Sequence, residues 1–212
     1  MKMMESSDDD ERLYNYSLLF LYVSGICNLF ILQFLQAPYG KHFSPRWGPA
    51  ISPTLAWLLM ESPSVFLTLL LFPRGLHSSS PRSLSLISLF LLHYLHRTFV
   101  YPFRLPPSSN KTPISIALLA FSFNLLNSYL QSRSISHYVD YDAEGGMGFW
   151  ARFLGGLLVF LWGMSVNVRS DLALVRLRGE GRGYRVPRGG GLRGSAVLII
   201  LGRLLSGLGG LS

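Results

Sequence analysis

The sequence predicts an all-α protein, a polytopic bundle of membrane-spanning helices, and three observations carry that prediction. Apolar residues make up 49% of the 212 residues and charged ones only 14%. Mean hydropathy is positive, at +0.33, which is unusual for a soluble domain of this size. The apolar residues gather in about five runs, each near the length of about 20 residues that a helix needs to cross a hydrocarbon core. Between them lie short segments rich in Pro, Gly, Ser and basic residues, which are ordinary connections between consecutive spans.

Residues 1–13 carry Glu5, Asp8, Asp9, Asp10 and Glu11 without the basic start of a signal peptide, and are expected to be a disordered acidic tail. Residues 16–35 form the first span, made more polar than a plain anchor by Asn28 and Gln33. It also holds the only cysteine, Cys27, so an internal disulfide is excluded. Residues 37–50 contain Pro38, Pro45 and Pro49 and cannot form a continuous helix. They read as an interfacial loop with Tyr39 and Trp47 at headgroup depth; the alternative is a loop closing over a site, with Tyr39 and Lys41 reaching inward. The second span, 52–72, carries Trp57, Glu61 and Pro63. The proline is expected to interrupt the hydrogen-bond ladder beside the carboxylate, as in a broken helix that lines a cavity.

A short loop, 73–82, leads to the third span, 83–101, which stops at Pro102. Residues 103–113 are turn-rich, and the fourth span, 114–130, is interrupted by Asn124 and Asn127. Residues 132–148 hold Asp140, Asp142 and Glu144 without the spacing of a calcium loop, and read as a solvated acidic connection. The fifth span is 149–168. Most of the net charge of +8 follows it, between Arg169 and Arg193. No DNA- or RNA-binding pattern surrounds this block, so it is a juxtamembrane topology signal and nucleic acid is not an expected partner. With the block cytosolic, five spans place Lys41, Arg46, Arg104 and Lys111 on the same side and the acidic N-terminus opposite.

The chemistry concentrates in residues 91–102, where ionisable and hydroxyl side chains enter an apolar helix. Such groups are costly in lipid and mark a site by default. Tyr94, Arg97, Thr98 and Tyr101 fall on one helical face. One span earlier, Glu61 is a lone carboxylate in an equally apolar run. Glu61 and Tyr94 form the chemical centre of the sequence and are expected to be neighbours across a cavity between the second and third spans. Further on, Asn167, Asp171 and Arg178 share a face of the helix that leaves the membrane. Behind them, residues 179–190 mix glycines, which allow close backbone approach, with arginines, which pair with phosphate. The same composition also suits a basic tail touching anionic lipid.

Several stretches together resemble one family. They are Ala37-Pro-Tyr-Gly-Lys-His, Trp57-Leu-Leu-Met-Glu-Ser-Pro-Ser, Leu92-His-Tyr-Leu-His-Arg-Thr-Phe-Val-Tyr-Pro, Asn127-Ser-Tyr-Leu-Gln, Gly163-Met-Ser-Val-Asn-Val-Arg-Ser-Asp and Gly183-Tyr-Arg-Val-Pro-Arg-Gly-Gly. In this order they are similar to the steroid 5-alpha-reductases (3-oxo-5-alpha-steroid 4-dehydrogenases), most of all to the plant branch that works in brassinosteroid synthesis. The likeness covers residues 14–190.

The resemblance implies a multi-pass protein of the endoplasmic reticulum membrane, with about seven spans in the family against about five here. It implies reduction of the 4,5 double bond of a 3-oxo-4-ene steroid by NADPH, with membrane lipid as surroundings and no protein partner. Glu61 and Tyr94 would be catalytic: a neutral phenol donates to the 3-oxygen as negative charge grows there, and the carboxylate orients it or shares its proton. By the same likeness Trp57, Arg97, Tyr101, Asn167, Asp171, Arg178 and Arg185 would line the cofactor site, and no metal is implied. Two departures stand out. Met60 occupies the place of a glutamine in animal members, and residues 191–212 form a low-complexity tail of Leu, Gly, Ser, Ile and Arg where the family continues with an aromatic stretch and two further spans. The second departure implies a gene-model error or a truncated product, with impaired turnover.

Two other functions compete. A non-catalytic, truncated membrane protein is one. A di-metal membrane oxidase built on His93 and His96 is the other, but such sites need several histidine clusters, whereas His42, His77 and His137 stand apart in the sequence.

Overall fold

In the computed structural model the described residues are 2–34, 45–106, 111–143 and 145–179. Five long helices dominate: α1 (Lys2–Phe34), α2 (Pro53–Leu71), α3 (Pro81–Leu95), α4 (Ile114–Arg133) and α5 (Gly146–Gly179). The stretches Asp8–Ile31, Pro53–Arg74, Pro81–Arg104, Ile114–Tyr138 and Gly146–Leu172 are long and apolar enough to cross a membrane. The all-α membrane bundle expected from the sequence is therefore the fold. Large apolar side chains point outward along it, among them Phe20 at 63% and Leu158 at 70% exposure, as lipid-facing surfaces require.

The chain divides into two compact units. One is formed by Met1–Pro102 with Asn110–Tyr138 and holds α1 to α4; the other, Phe103–Ser109 with Val139–Ser212, holds α5. Within the first, α2 packs chiefly on α4 and also on α3, and α1 touches α4. Small side chains make the α2–α4 approach close: Ala56, Ser64 and Thr68 on α2 and Ala117, Ser128 and Ser132 on α4 are all buried. In lipid, helices associate by this kind of packing.

Local chemistry sets the helix starts. Ser52 caps α2, its hydroxyl accepting from the Leu55 amide at 3.3 Å, with Pro53 in the first helical position. Ser80 caps α3 in the same way, ahead of Pro81. Proline there gives up an amide that has no helical partner in any case. Two short strands, β1 (Ala50–Ile51) and β2 (Thr112–Pro113), pair antiparallel with Ala50 opposite Pro113 and Ile51 opposite Thr112. The Ile114 amide donates to Pro49 O at 2.9 Å and the Ser115 hydroxyl to Trp47 O at 2.6 Å. These contacts tie the entrances of α2 and α4 together, and with them the register of the side chains farther along each helix.

Four local features differ from the sequence expectation. Helix α1 runs back through the acidic segment to Lys2, and its Asp10 is engaged by Arg133 and by the Tyr138 hydroxyl. Pro63 does not break α2: the Leu59 carbonyl, which the proline cannot satisfy, accepts instead from the Ser62 hydroxyl at 3.1 Å. The third span leaves α geometry before its end. Residues His96–Val100 form a π-helical turn, with the Tyr101 amide reaching His96 O at 2.9 Å. The fourth span continues past residue 130 to Arg133 and through a second π-helical turn, Ser134–Tyr138, so the acidic connection begins only after Tyr138. There the Asp142 amide donates to Asp140 Oδ1 at 2.9 Å, a local turn. Tyr39, Lys41, Glu144 and residues 191–212 lie outside the described residues.

Candidate active site

Three helices converge on one polar layer. Helix α2 contributes Trp57 and Glu61, one turn apart. The end of α3 and its π-helical turn contribute Tyr94 and Arg97, with Tyr101 at the foot of the turn, and α4 contributes Asn124 and Asn127. Glu61 is buried, at 6% exposure. One carboxylate oxygen, Oε1, accepts from Arg97 Nε at 3.0 Å and Nη2 at 2.9 Å. The other, Oε2, accepts from Asn124 Nδ2 at 3.3 Å, and the same amide donates to Met60 O at 2.7 Å. Both partners of that amide are acceptors, so chemistry alone fixes which way the Asn124 side chain faces. A carboxylate in an apolar layer needs this degree of company, because its desolvation is offset only by close charged and hydrogen-bonded partners.

Arg97 also lies over Trp57, with its guanidinium carbon 4.7 Å from the ring centroid. Trp57 meets Tyr101 edge to face at 4.9 Å. The result is a wall of one cation and two aromatic rings, of which Tyr101 is buried and Trp57 and Arg97 are partly exposed. The Tyr94 ring is 4% exposed, packed on Phe90 at 4.6 Å and His93 at 5.2 Å. Its hydroxyl oxygen accepts from Asn127 Nδ2 at 3.3 Å. Asn124 and Asn127 are three residues apart on α4, so one helix holds both Glu61 and Tyr94 in register.

Of the residues singled out in the sequence, the structure gathers Trp57, Glu61, Tyr94, Arg97 and Tyr101 in the first unit. Asn167 and Asp171 lie one turn apart on α5, both partly buried, in the second. The side chain of Arg178, near the end of α5, and the whole of Arg185 lie outside the described residues. Among the described residues no three of His, Cys, Asp and Glu gather as metal ligands would. Sequence reasoning assigned Asn124 and Asn127 no role in the site: both appeared as interruptions of an apolar span, and Asn127 also as the start of one stretch that carries the family resemblance. The signal was there: two amides three residues apart in such a span must find partners.

Residues 110–193 match the family described as 3-oxo-5-alpha-steroid 4-dehydrogenase. The chain is 55% identical over 185 residues to Steroid 5-alpha-reductase DET2 of Gossypium hirsutum, covering 85% of this chain and 71% of that protein. It is 53% identical over 187 residues to Steroid 5-alpha-reductase DET2 of Arabidopsis thaliana, with the same coverage. Similarity extends to an animal protein, 3-oxo-5-alpha-steroid 4-dehydrogenase 1 of Homo sapiens, at 37% identity over 161 residues, covering 72% of this chain and 59% of the relative.

Proposed function

This chain belongs to the 3-oxo-5-alpha-steroid 4-dehydrogenase family, and from that premise we propose that it reduces the 4,5 double bond of a 3-oxo-4-ene steroid with NADPH, in the endoplasmic reticulum membrane and within plant brassinosteroid synthesis. The observation that carries the reading is Tyr94: a buried phenol, held by an amide of α4, in the same layer as a carboxylate–guanidinium pair. An enone reduction needs that equipment. As a hydride reaches C5, the electrons of the double bond move toward the 3-oxygen, and a proton added at C4 completes the saturated ketone. A positioned O–H at the 3-oxygen stabilises the charge that develops there and is worth more in a layer without water.

NADPH, when bound, supplies the hydride. The residues present suit such a ligand. Arg97 over Trp57, with Tyr101 edge-on, offers aromatic and cationic surface for a planar ring and an anionic group. We assign Trp57, Arg97, Tyr101, Asn167, Asp171, Arg178 and Arg185 to holding it. Glu61, engaged by Arg97 and Asn124, keeps the guanidinium in place and balances its charge, so its part is played through Arg97 as well as toward Tyr94. We take residues 14–190 as the reductase domain. We place the turnover of this chain below that of its relatives, because residues 191–212 lack the aromatic composition of the family at that point.

The test is expression in a host without its own 5-alpha-reductase, with NADPH and a 3-oxo-4-ene steroid supplied to the membranes and the 5α product followed by mass spectrometry. Product that requires NADPH and disappears in Tyr94→Phe is the expected result. Equal product from the two proteins, or none above background from either, overturns the reading.

A further inference from the structure

We propose that Asn127 is a positioning residue that sets the direction of the Tyr94 hydroxyl proton and thereby the site's preference for a ketone oxygen; the proposal rests on the steroid-reducing reading above. A tyrosine hydroxyl has one proton to give and lone pairs that accept. Asn127 Nδ2 stands 3.3 Å from the Tyr94 oxygen and donates to it. That occupies the acceptor side facing α4 and turns the O–H away from α4. Accepting one hydrogen bond also polarises the phenol, which makes it a better donor in the next.

The amide is placed for this by its own helix. One turn earlier, Asn124 is locked onto two acceptors of α2, and the Ser128 hydroxyl donates to the Asn124 backbone oxygen at 2.5 Å. The α4 segment from Asn124 to Ser128 is thus fixed against α2, and Asn127 projects from it toward Tyr94 of α3. If the Asn127 carbonyl oxygen faced the phenol instead, the Tyr94 proton would be spent on α4 and no donor would remain for a ligand. The two orientations therefore predict opposite behaviour toward a ketone.

The experiment uses the purified full chain in lipid nanodiscs and two probes: a 3-oxo-4-ene steroid and the same steroid with its 3-oxygen removed. The readout is the ratio of their dissociation constants, which does not depend on turnover. The unsubstituted protein is expected to prefer the oxo probe by about tenfold or more, as a buried donor discriminates for its acceptor. Asn127→Leu should lose most of that preference. Asn127→Asp, nearly the same size but an acceptor of the phenol proton, should lose it completely. Asn127→Gln, which keeps the N–H donor, should recover part of it. Affinity for the deoxygenated probe should stay within about twofold throughout, since only apolar contact is involved.

A wild-type preference retained by both the Leu and Asp variants would overturn the role of Asn127 and leave the steroid reading standing. Loss of the deoxygenated probe in both variants would also overturn it, by showing Asn127 to be a packing residue. No preference in the unsubstituted protein would bring down the steroid reading and this proposal together.

Discussion

Arg97 and Glu61 are joined at a single carboxylate oxygen, Nε at 3.0 Å and Nη2 at 2.9 Å, across 36 residues of chain, with only 16% and 8% of their side chains exposed. The pair welds the π-helical turn after α3 to the middle of α2. Removing one partner of a buried pair strands the other charge, which costs about 3–5 kcal/mol. Arg97→Ala and Glu61→Ala should each lower the thermal unfolding midpoint in detergent sharply. The double variant Arg97→Met with Glu61→Gln should recover much of the loss, because neither charge is then unpaired. Losses that simply add in the double variant would show that the two residues do not act as a pair.

Arg97→Lys separates the charge of that residue from its shape. A lysine ammonium can reach Glu61 but cannot donate from two fixed nitrogens while lying flat on Trp57. Stability should fall by about 1–2 kcal/mol, less than for Arg97→Ala, and indole fluorescence should report the change around Trp57. Equal stability of the Lys variant and the unsubstituted protein would show that the geometry of the fork contributes nothing.

Tyr94→Phe deletes one oxygen from the same layer and leaves the ring packed on Phe90 and His93. On the proposed reaction, kcat should fall by about 10²–10³-fold, the usual loss for an oxyanion donor, while NADPH binding changes by less than about twofold. Steady-state assays of membranes carrying each protein, with nicotinamide fluorescence for binding, separate the two effects. An unchanged kcat removes Tyr94 from the chemistry.

The helix count and class were legible because they depend on run length and polarity, which the chain displays directly. The polar layer was half legible. Glu61, Tyr94 and Arg97 stand out as charges and hydroxyls among leucines, and at helical spacing Trp57 falls on the Glu61 face. That Glu61 meets Arg97 head-on was not legible, since it depends on a π-helical turn at His96–Val100 that no composition signal announces. The unbroken course of α2 through Pro63 has the same character: it depends on one neighbouring hydroxyl, that of Ser62, turning back to Leu59 O. Asn124 and Asn127 had the right signal, but their partners lie on other helices and no local pattern names them.

Gly75 supplies a prediction away from the site. A Cβ built there would overlap both the side chain and the backbone oxygen of Ser136, in the second π-helical turn. Two residues on, the His77 amide donates to that same Ser136 oxygen at 2.7 Å, so the two segments cannot simply separate. Gly75→Ala should destabilise by about 1–3 kcal/mol through overpacking. Adding Ser136→Gly should relieve only part of this, since the backbone oxygen remains. Unfolding midpoints of the single and double variants decide it; full recovery in the double would show that the side chain alone makes the clash.

Asp10 gives the last prediction. It lies in α1, in the segment that the sequence suggested to be a tail, and its Oδ2 accepts from both Arg133 Nη2 and the Tyr138 hydroxyl at the end of the fourth span. Tyr14, one turn on, packs at a tilt against Tyr138, with ring centroids 4.2 Å apart, and lies 6.5 Å from Tyr129. Arg133 is itself well covered, with 13% of its side chain exposed against 32% for Asp10. These polar and aromatic contacts tie α1 to the end of the fourth span, while many other residues of α1 are exposed apolar side chains. Asp10→Asn keeps the size but removes the charge, leaving Arg133 without its counter-ion, and should cost about 1–3 kcal/mol. The loss should be local. Backbone amides in the first two turns after Asp10 and in Ser134–Tyr138 should exchange hydrogen faster, while those around Glu61 and Asn124 keep their protection. Hydrogen exchange of the protein in nanodiscs, resolved by peptide, measures this directly. Unchanged exchange in both segments would mean that lipid alone, and not the Asp10 cluster, holds α1 against the bundle.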